Sequence, residues 1–317
     1  RLVPLGLSYF IFEFIHYLVD SYYGRTKGAT LLEFGIFALF FPTKVAGPIK
    51  RFQPFAKQLR NRITYKPEFL TKGLWRIVTG LAKKVLVADI IGVYALPLTN
   101  FSNNPDVNPF ILWLALYAYA IRIYFDFSGY SDIAIGCAKL FGFEVPENFN
   151  KPYLRQNIAE FWRNWHMSLT SWLMDYIYMP LGKKLMPSIG KKHPLLMAAI
   201  CQMTTMAVSG LWHGAAWNFL IWGLYHGVLM TMHRIFVDIT TKIKRGKSGG
   251  KVKKLHTDKR APSVLNVPNF IKKPLYTLIT FHFVCIGWVF FVLNINDAAR
   301  VICRLLFIDQ IRNLVGI

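Results

Sequence analysis

The sequence predicts an all-α, polytopic membrane protein, and two observations carry that prediction. First, 54% of its 317 residues are hydrophobic and 16% aromatic. The mean hydropathy of +0.32 is high for a soluble chain and modest for a membrane protein. That mixture suits clean spans separated by broken or amphipathic segments. Second, 38 Lys+Arg against 16 Asp+Glu give a formal charge of +22, and the excess gathers in short loops between apolar runs. Cytoplasmic membrane loops look like this. Anionic lipid headgroups are therefore the expected counterpart, and nucleic acid is not. The four cysteines, Cys137, Cys201, Cys285 and Cys303, form no Cys-x-x-Cys pair, so neither a disulfide framework nor a zinc site is expected. The chain opens Arg1-Leu-Val-Pro, with neither Met nor a signal-peptide pattern, and reads as lacking N-terminal sequence.

A first span covers residues 3–19, with Glu13 and His16 three apart on one helix face; both should face protein rather than lipid. Pro42, Lys44, Gly47 and Pro48 punctuate residues 31–49, so a short helix breaking into a re-entrant loop is expected. Residues 50–72 are a basic loop or surface helix. Residues 73–98, with Arg76, Lys83, Lys84 and Asp89 on an apolar background, are amphipathic and partly interfacial. Residues 99–109 form a polar, turn-rich loop without a basic residue, assigned to the outer face. A span over 110–125 ends at Arg122, four residues before Asp126, a spacing that suits an ion pair within one helix.

Residues 142–157 read as an irregular loop. Residues 158–179 read as one amphipathic helix, with Phe161, Trp165, Leu169 and Trp172 on one face and Arg163, His166 and Thr170 on another. Gly182 to Lys192 is a basic loop. Residues 194–212 and 214–237 are spans, and the pairs Gly210/Gly214 and Gly223/Gly227 have the Gly-x-x-x-Gly spacing that lets helices approach closely. Residues 242–260 are a low-complexity basic linker, expected to be disordered and cytoplasmic beside anionic lipid. Spans over 275–293 and from 298 onward complete one membrane domain over 1–317.

The chemistry points to histidine. Ser209-Gly-Leu-Trp-His-Gly-Ala-Ala-Trp217 sets His213 between two glycines and two tryptophans. Three readings compete for it: core packing, a metal ligand, or a general base. A companion ligand at short spacing is lacking, which disfavours metal. Burial keeps an imidazole neutral at pH 7, which suits a base. Gly223-Leu-Tyr-His-Gly227 echoes the motif. On one straight helix, however, His226 would lie about 20 Å from His213 and roughly 220° around the axis. It is read as structural unless the chain breaks between the two. His166, in Trp162-Arg-Asn-Trp-His-Met-Ser168, reads either as a solvated interfacial histidine or, with Arg163, as part of a phosphate or carboxylate site. No phosphate loop, nucleophile elbow or dinucleotide fingerprint occurs.

Several motifs in order resemble the membrane-bound O-acyltransferase family, within it the bacterial branch of the alginate O-acetylation membrane subunit. They are Pro4-Leu-Gly-Leu-Ser-Tyr-Phe10, Phe41-Pro-Thr-Lys-Val-Ala-Gly-Pro-Ile-Lys-Arg51, Gly80-Leu-Ala-Lys-Lys84 and Asp126-Phe-Ser-Gly-Tyr-Ser-Asp132. Phe143-Glu-Val-Pro-Glu-Asn-Phe-Asn150, Phe161–Leu169 and Ser209–Trp217 follow. The resemblance implies tilted, re-entrant and interfacial helices around a central funnel. It also implies catalytic roles for His213 and His166. Around them, Arg163, Asn164, Trp212 and Asp126 are the candidate donor- or substrate-binding residues, and no metal or bound cofactor is expected. It further implies a thioester donor such as acetyl-CoA as co-substrate, an exported polysaccharide as acceptor and a periplasmic SGNH-type partner. The bacterial inner membrane is the implied location. Two rivals remain: a sister branch that transfers D-alanine to teichoic acid, and a polysaccharide or lipid transporter.

Overall fold

The computed structural model describes residues 6–61, 66–247 and 269–306, with the backbone alone for 244–247 and 269–270. Every regular element among them is helical. Among the described residues, three helices are long and apolar enough to cross a membrane: Pro109–Leu140, Pro194–His213 and Ile271–Val292. The chain packs as two compact units. One comprises Arg1–Asn150, Asn164–Trp172 and Val292–Ile317; the other comprises Lys151–Arg163 and Leu173–Phe291.

In the first unit, α1 (Leu7–Tyr22) buries Phe12, Glu13, His16 and Asp20. As expected, its polar residues turn inward, and each finds a partner. The Lys50 ammonium meets both Glu13 oxygens at 2.7 and 2.8 Å. His16 Nε2 accepts the Phe52 N–H at 3.0 Å. Asp20 accepts from Arg25 at 3.0 Å and from Gln53 at 2.6 Å. Burying such groups is tolerable only with this pairing. At 16 residues, α1 is not among the three membrane-length helices.

Helix α2 (Leu31–Leu39) starts on a capping box between Thr30 and Glu33. Its chain then breaks at extended Phe40 before the short α3 (Phe41–Lys44), as the prolines predicted. Helix α4 (Phe52–Arg60) packs Phe52 and Phe55 against Phe37, Phe40 and Phe143. Helix α5 (Pro67–Ala82) runs antiparallel to α6 (Pro109–Leu140). Gly73 sits against the Gly136 carbonyl and Gly80 against that of Gly129; a Cβ at Gly80 would come within 2.5 Å of it. Helix α6 does not stop near residue 125. It continues through Asp126–Asp132 for 32 residues, about 48 Å.

The chain over 158–179 is not one helix. Helix α7 (Ile158–Asn164) ends, and α8 (Met167–Leu173) begins three residues later. All four residues of the expected apolar face are nevertheless buried. In the second unit, Gly182–Lys192 is helical rather than a loop for most of its length, through α9 (Met179–Leu185) and a π-helical turn to Gly190. Pro180 and Pro187 sit at first-turn positions, where their missing N–H costs nothing. Helix α10 (Pro194–His213) folds back on α11 (Trp217–Lys247). Gly210 abuts the Phe219 carbonyl and Gly223 the Met206 carbonyl, the close approach that glycine spacing predicted. Helix α12 (Asn269–Val292) follows, with Pro274 inside it. Back in the first unit, α13 (Ile295–Leu305) is amphipathic and is held by Trp113 Nε1 on the Leu305 carbonyl and by Arg304 on that of Val107. The basic linker begins inside α11 and otherwise lies outside the described residues, as does the end of the last expected span.

Candidate active site

In the first unit, His166 stands at the break between α7 and α8. It adopts φ +43°, the left-handed region that costs a non-glycine residue energy and recurs at functional sites. The break carries His166 off the polar face the continuous helix would have given it. Its side chain is buried instead, at 2% exposure. Its partner is Asn148, whose Oδ1 lies 3.3 Å from His166 Nδ1. The orientation of Asn148 follows from its neighbours. Ser168 Oγ accepts the Ile49 N–H at 2.9 Å and donates to Asn148 Oδ1 at 2.6 Å. Asn148 Nδ2 donates to Ser131 Oγ at 3.2 Å. Oδ1 can only accept, so bonding to it requires the proton on Nδ1 and leaves the lone pair of His166 on Nε2. The rings of Phe127 and Tyr9 flank His166 at 4.7 and 6.3 Å between centroids.

Those two rings also line a half-open cavity of about 330 Å³, with Ala46, Lys84, Ile123, Asp126, Tyr130 and Ile133. Asp126 thus lines a cavity. The expected Arg122–Asp126 pair is not what holds it: Asp126 meets Lys84 at 2.7 Å, and Lys84 also meets Asp89 at 2.8 Å. Arg122 runs over Gly92 instead, because the chain after α5 packs on α6 and brings Lys84 to Asp126. Asn164 closes a backbone bond, its carbonyl accepting the Asn150 N–H at 3.1 Å.

In the second unit, His213 is the last residue of α10. Its ring lies 4.6 Å from Trp212, 5.1 Å from Trp222, 6.4 Å from Phe219 and 4.9 Å from Phe291. The turn at 214–216 meets the condition the straight-helix argument left open. With the chain reversed, Trp222 touches both histidines, its ring 5.2 Å from His226. His226 is fully buried and also packs on Trp162 at 5.1 Å. Both nitrogens of His226, Nε1 of Trp162, Nε1 of Trp222 and the buried Ser209 hydroxyl lack a hydrogen-bond partner among the described residues. Buried polar atoms are rarely left so, and a cluster of them asks for an explanation. Arg163 is exposed near the end of α7.

Asn148, Ser168 and Trp222 are the residues that motif reading left without a role. Asn148 lies inside Phe143–Asn150, which signalled the loop but not its chemistry; Trp222 had no local signal.

The molecule is thus an all-helical membrane protein with two histidine-centred clusters. A family model described as MBOAT, membrane-bound O-acyltransferase family, matches residues 7–249, and the chain belongs to that family. It is 37% identical over 291 residues to the Pseudomonas aeruginosa protein named "Probable alginate O-acetylase", covering 92% of this chain and 49% of that one. It is 30% identical over 331 residues to the peptidoglycan O-acetyltransferase of Helicobacter pylori, covering 95% and 56%. It is 32% identical over 291 residues to the teichoic acid D-alanyltransferase of Bacillus subtilis, covering 90% and 68%. The chain spans about half the length of the alginate relatives it matches.

Proposed function

We propose that this protein moves an acyl group, acetyl in the first instance, from a cytoplasmic thioester such as acetyl-CoA to a hydroxyl of an exported polysaccharide. It would do so as a multi-pass protein of a bacterial inner membrane, with a periplasmic SGNH-type partner completing transfer. His213 is the general base. Its imidazole takes the proton of the acceptor O–H as that oxygen attacks the thioester carbonyl. The C–O bond forms, the C–S bond breaks, and the imidazolium returns the proton to the departing thiolate. Family membership supports the reaction class. The observation that carries the residue assignment is the cluster of unpartnered buried polar atoms on Trp222, Trp162 and His226, beside an imidazole walled by aromatic rings. Such groups gain their partners from a substrate.

His166, fixed by Asn148, serves the donor side with Asp126 and Lys84 at the adjacent cavity. Arg163, Asn164 and Trp212 remain candidates for binding. The test is His213→Ala in the complete gene, with acyl content of the exported polymer and protein level measured together. Loss of general-base help lowers transfer by about 10²–10⁴-fold; unchanged acylation at normal protein level overturns the assignment. Supplying purified protein with acetyl-CoA or with a D-alanyl carrier separates the polysaccharide reading from the D-alanyl one.

A further inference from the structure

We propose that a basic cavity in the first unit, which shares no lining residue with either histidine cluster, binds a phosphate group, carried by an anionic phospholipid. The inference rests on the chain being a membrane protein and not on the acyl-transfer chemistry. The cavity is about 260 Å³, half open, with Arg25, Lys27, Lys57 and Arg60 on its walls and buried Phe52 and Ala56 behind them. Thr26, Gln53 and Asn61 add polar groups.

The four cations are not equivalent. Arg25 is tied to Asp20 at 3.0 Å. Arg60 is tied to Glu33 at 2.5 and 2.9 Å and donates to the Gly28 carbonyl at 3.0 Å. Lys27 and Lys57 have no carboxylate partner among the described residues, and both are exposed. Two carboxylates against four cations leave an excess of two positive charges, on the two flexible ammonium groups. Lys57 stands on α4 and Lys27 on the turn after α1. Gly24 and Gly28 take φ +70° and +76°, and Ser21 and Thr26 hydroxyls meet at 2.7 Å. Two ammonium groups without a carboxylate partner can hold a phosphate as point charges.

The residues on either side of this turn argue for a lipid source. Tyr22 and Tyr23 precede it, exposed at 85% and 65%; Leu31 and Leu32 follow it, exposed at 85% and 73%. Exposed tyrosine and leucine beside unpaired lysine is the composition of a membrane–water interface. There a headgroup phosphate can sit among the lysines while its chains cover the apolar side chains.

The test uses purified protein in a neutral detergent, with thermal unfolding followed against added dioctanoyl phosphatidylglycerol, dioctanoyl phosphatidylcholine or glycerol 1-phosphate. Wild type and Lys27→Gln/Lys57→Gln are compared with Lys191→Gln/Lys192→Gln, which removes the same charge from another exposed site. Phosphatidylglycerol is expected to stabilise wild type and the control pair more than phosphatidylcholine does. Its apparent affinity should fall about fivefold for each cavity lysine lost, about thirtyfold for both. If glycerol 1-phosphate alone gives a shift sensitive to the cavity pair and the lipid adds nothing, the phosphate site stands with a soluble ligand. Equal responses to the two lipids, or equal affinity in the cavity pair and the control pair, overturn the proposal.

Discussion

Replacing Asn148 with leucine tests whether the His166 cluster is held by one side chain. Leucine nearly matches asparagine in shape, so the change removes polarity with little change in volume. Asn148 is wholly buried. The substitution deletes its bond to Ser131 at 3.2 Å, that from Ser168 Oγ at 2.6 Å, and the 3.3 Å contact to His166 Nδ1. A hydrogen bond is worth about 1 kcal/mol net, and a buried partner left unsatisfied costs about 1–3 kcal/mol. Ser131, Ser168 and His166 are all buried, so about 3–5 kcal/mol is expected, a large part of a stability of about 5–15 kcal/mol. The Met167 N–H bond to the Asn148 carbonyl, at 2.9 Å, belongs to the backbone and survives. Ser168→Ala should cost about 2 kcal/mol, because it also strands the Ile49 N–H. The assay is denaturant unfolding in detergent for both single variants and the double. Residues sharing a network are non-additive by about 0.5–3 kcal/mol. A cost below 1 kcal/mol for Asn148→Leu, or strict additivity with Ser168→Ala, refutes the network.

Glycine contacts separate two kinds of helix position. Gly223→Val places side-chain atoms on the Met206 carbonyl, 2.2 Å from where even a Cβ would stand, and should abolish a monodisperse folded peak in size-exclusion chromatography. Gly35→Ala meets nothing within 4 Å inside α2 and should raise the thermal midpoint, by up to about 1 kcal/mol of stability. Glu33 gives a pH prediction. Its bond to Arg60, with the Thr30 N–H and hydroxyl, depresses its carboxyl to about 2. A depressed acid stabilises the fold fully above its unfolded value near 4.3 and loses that contribution as pH falls toward 2. Glu33→Gln should flatten that part of the acid unfolding curve and change nothing between pH 6 and 9. Finally, His226→Leu removes two unpartnered buried nitrogens. Stability should hold within about 1 kcal/mol while acyl transfer drops at least about tenfold; unchanged activity would return His226 to a packing role.

Helix content, the α2 break and the glycine-mediated pairing of α10 with α11 were legible, because each depends on local periodicity or on residues with one conformational meaning. The break at Trp165–His166 was not. Phe161, Trp165, Leu169 and Trp172 keep helical spacing and all end up buried, so periodicity runs through the interruption undisturbed. The basic look of Gly182–Lys192 misled for a related reason: Gly, Pro and Lys are tolerated in helical first turns and on exposed faces. Partners distant along the chain were invisible. Asp126 finds Lys84 and Glu13 finds Lys50, whereas the sequence offered only neighbours such as Arg122. Motifs singled out His213 and His166, but gave no sign of Asn148, the side chain that bonds His166.

Trp222 shows how a single tertiary fact reorders a candidate site. On a straight helix, His213 and His226 stand far apart and on different sides, and His226 is packing. Extended Gly214 ends that helix at His213. Gly210 and Gly223 then let the returning strand of helix come within backbone contact. The result puts one indole edge-on to both imidazoles, at 5.1 and 5.2 Å. Stability alone does not favour this arrangement, since apolar groups of the same shape would cost nothing to bury and these leave polar atoms unpaired. Local rules broken without a compensating gain in the resting fold are what the proposed site predicts. The glycines make that crowding possible, and the unpaired nitrogens are what the proposed acceptor would satisfy.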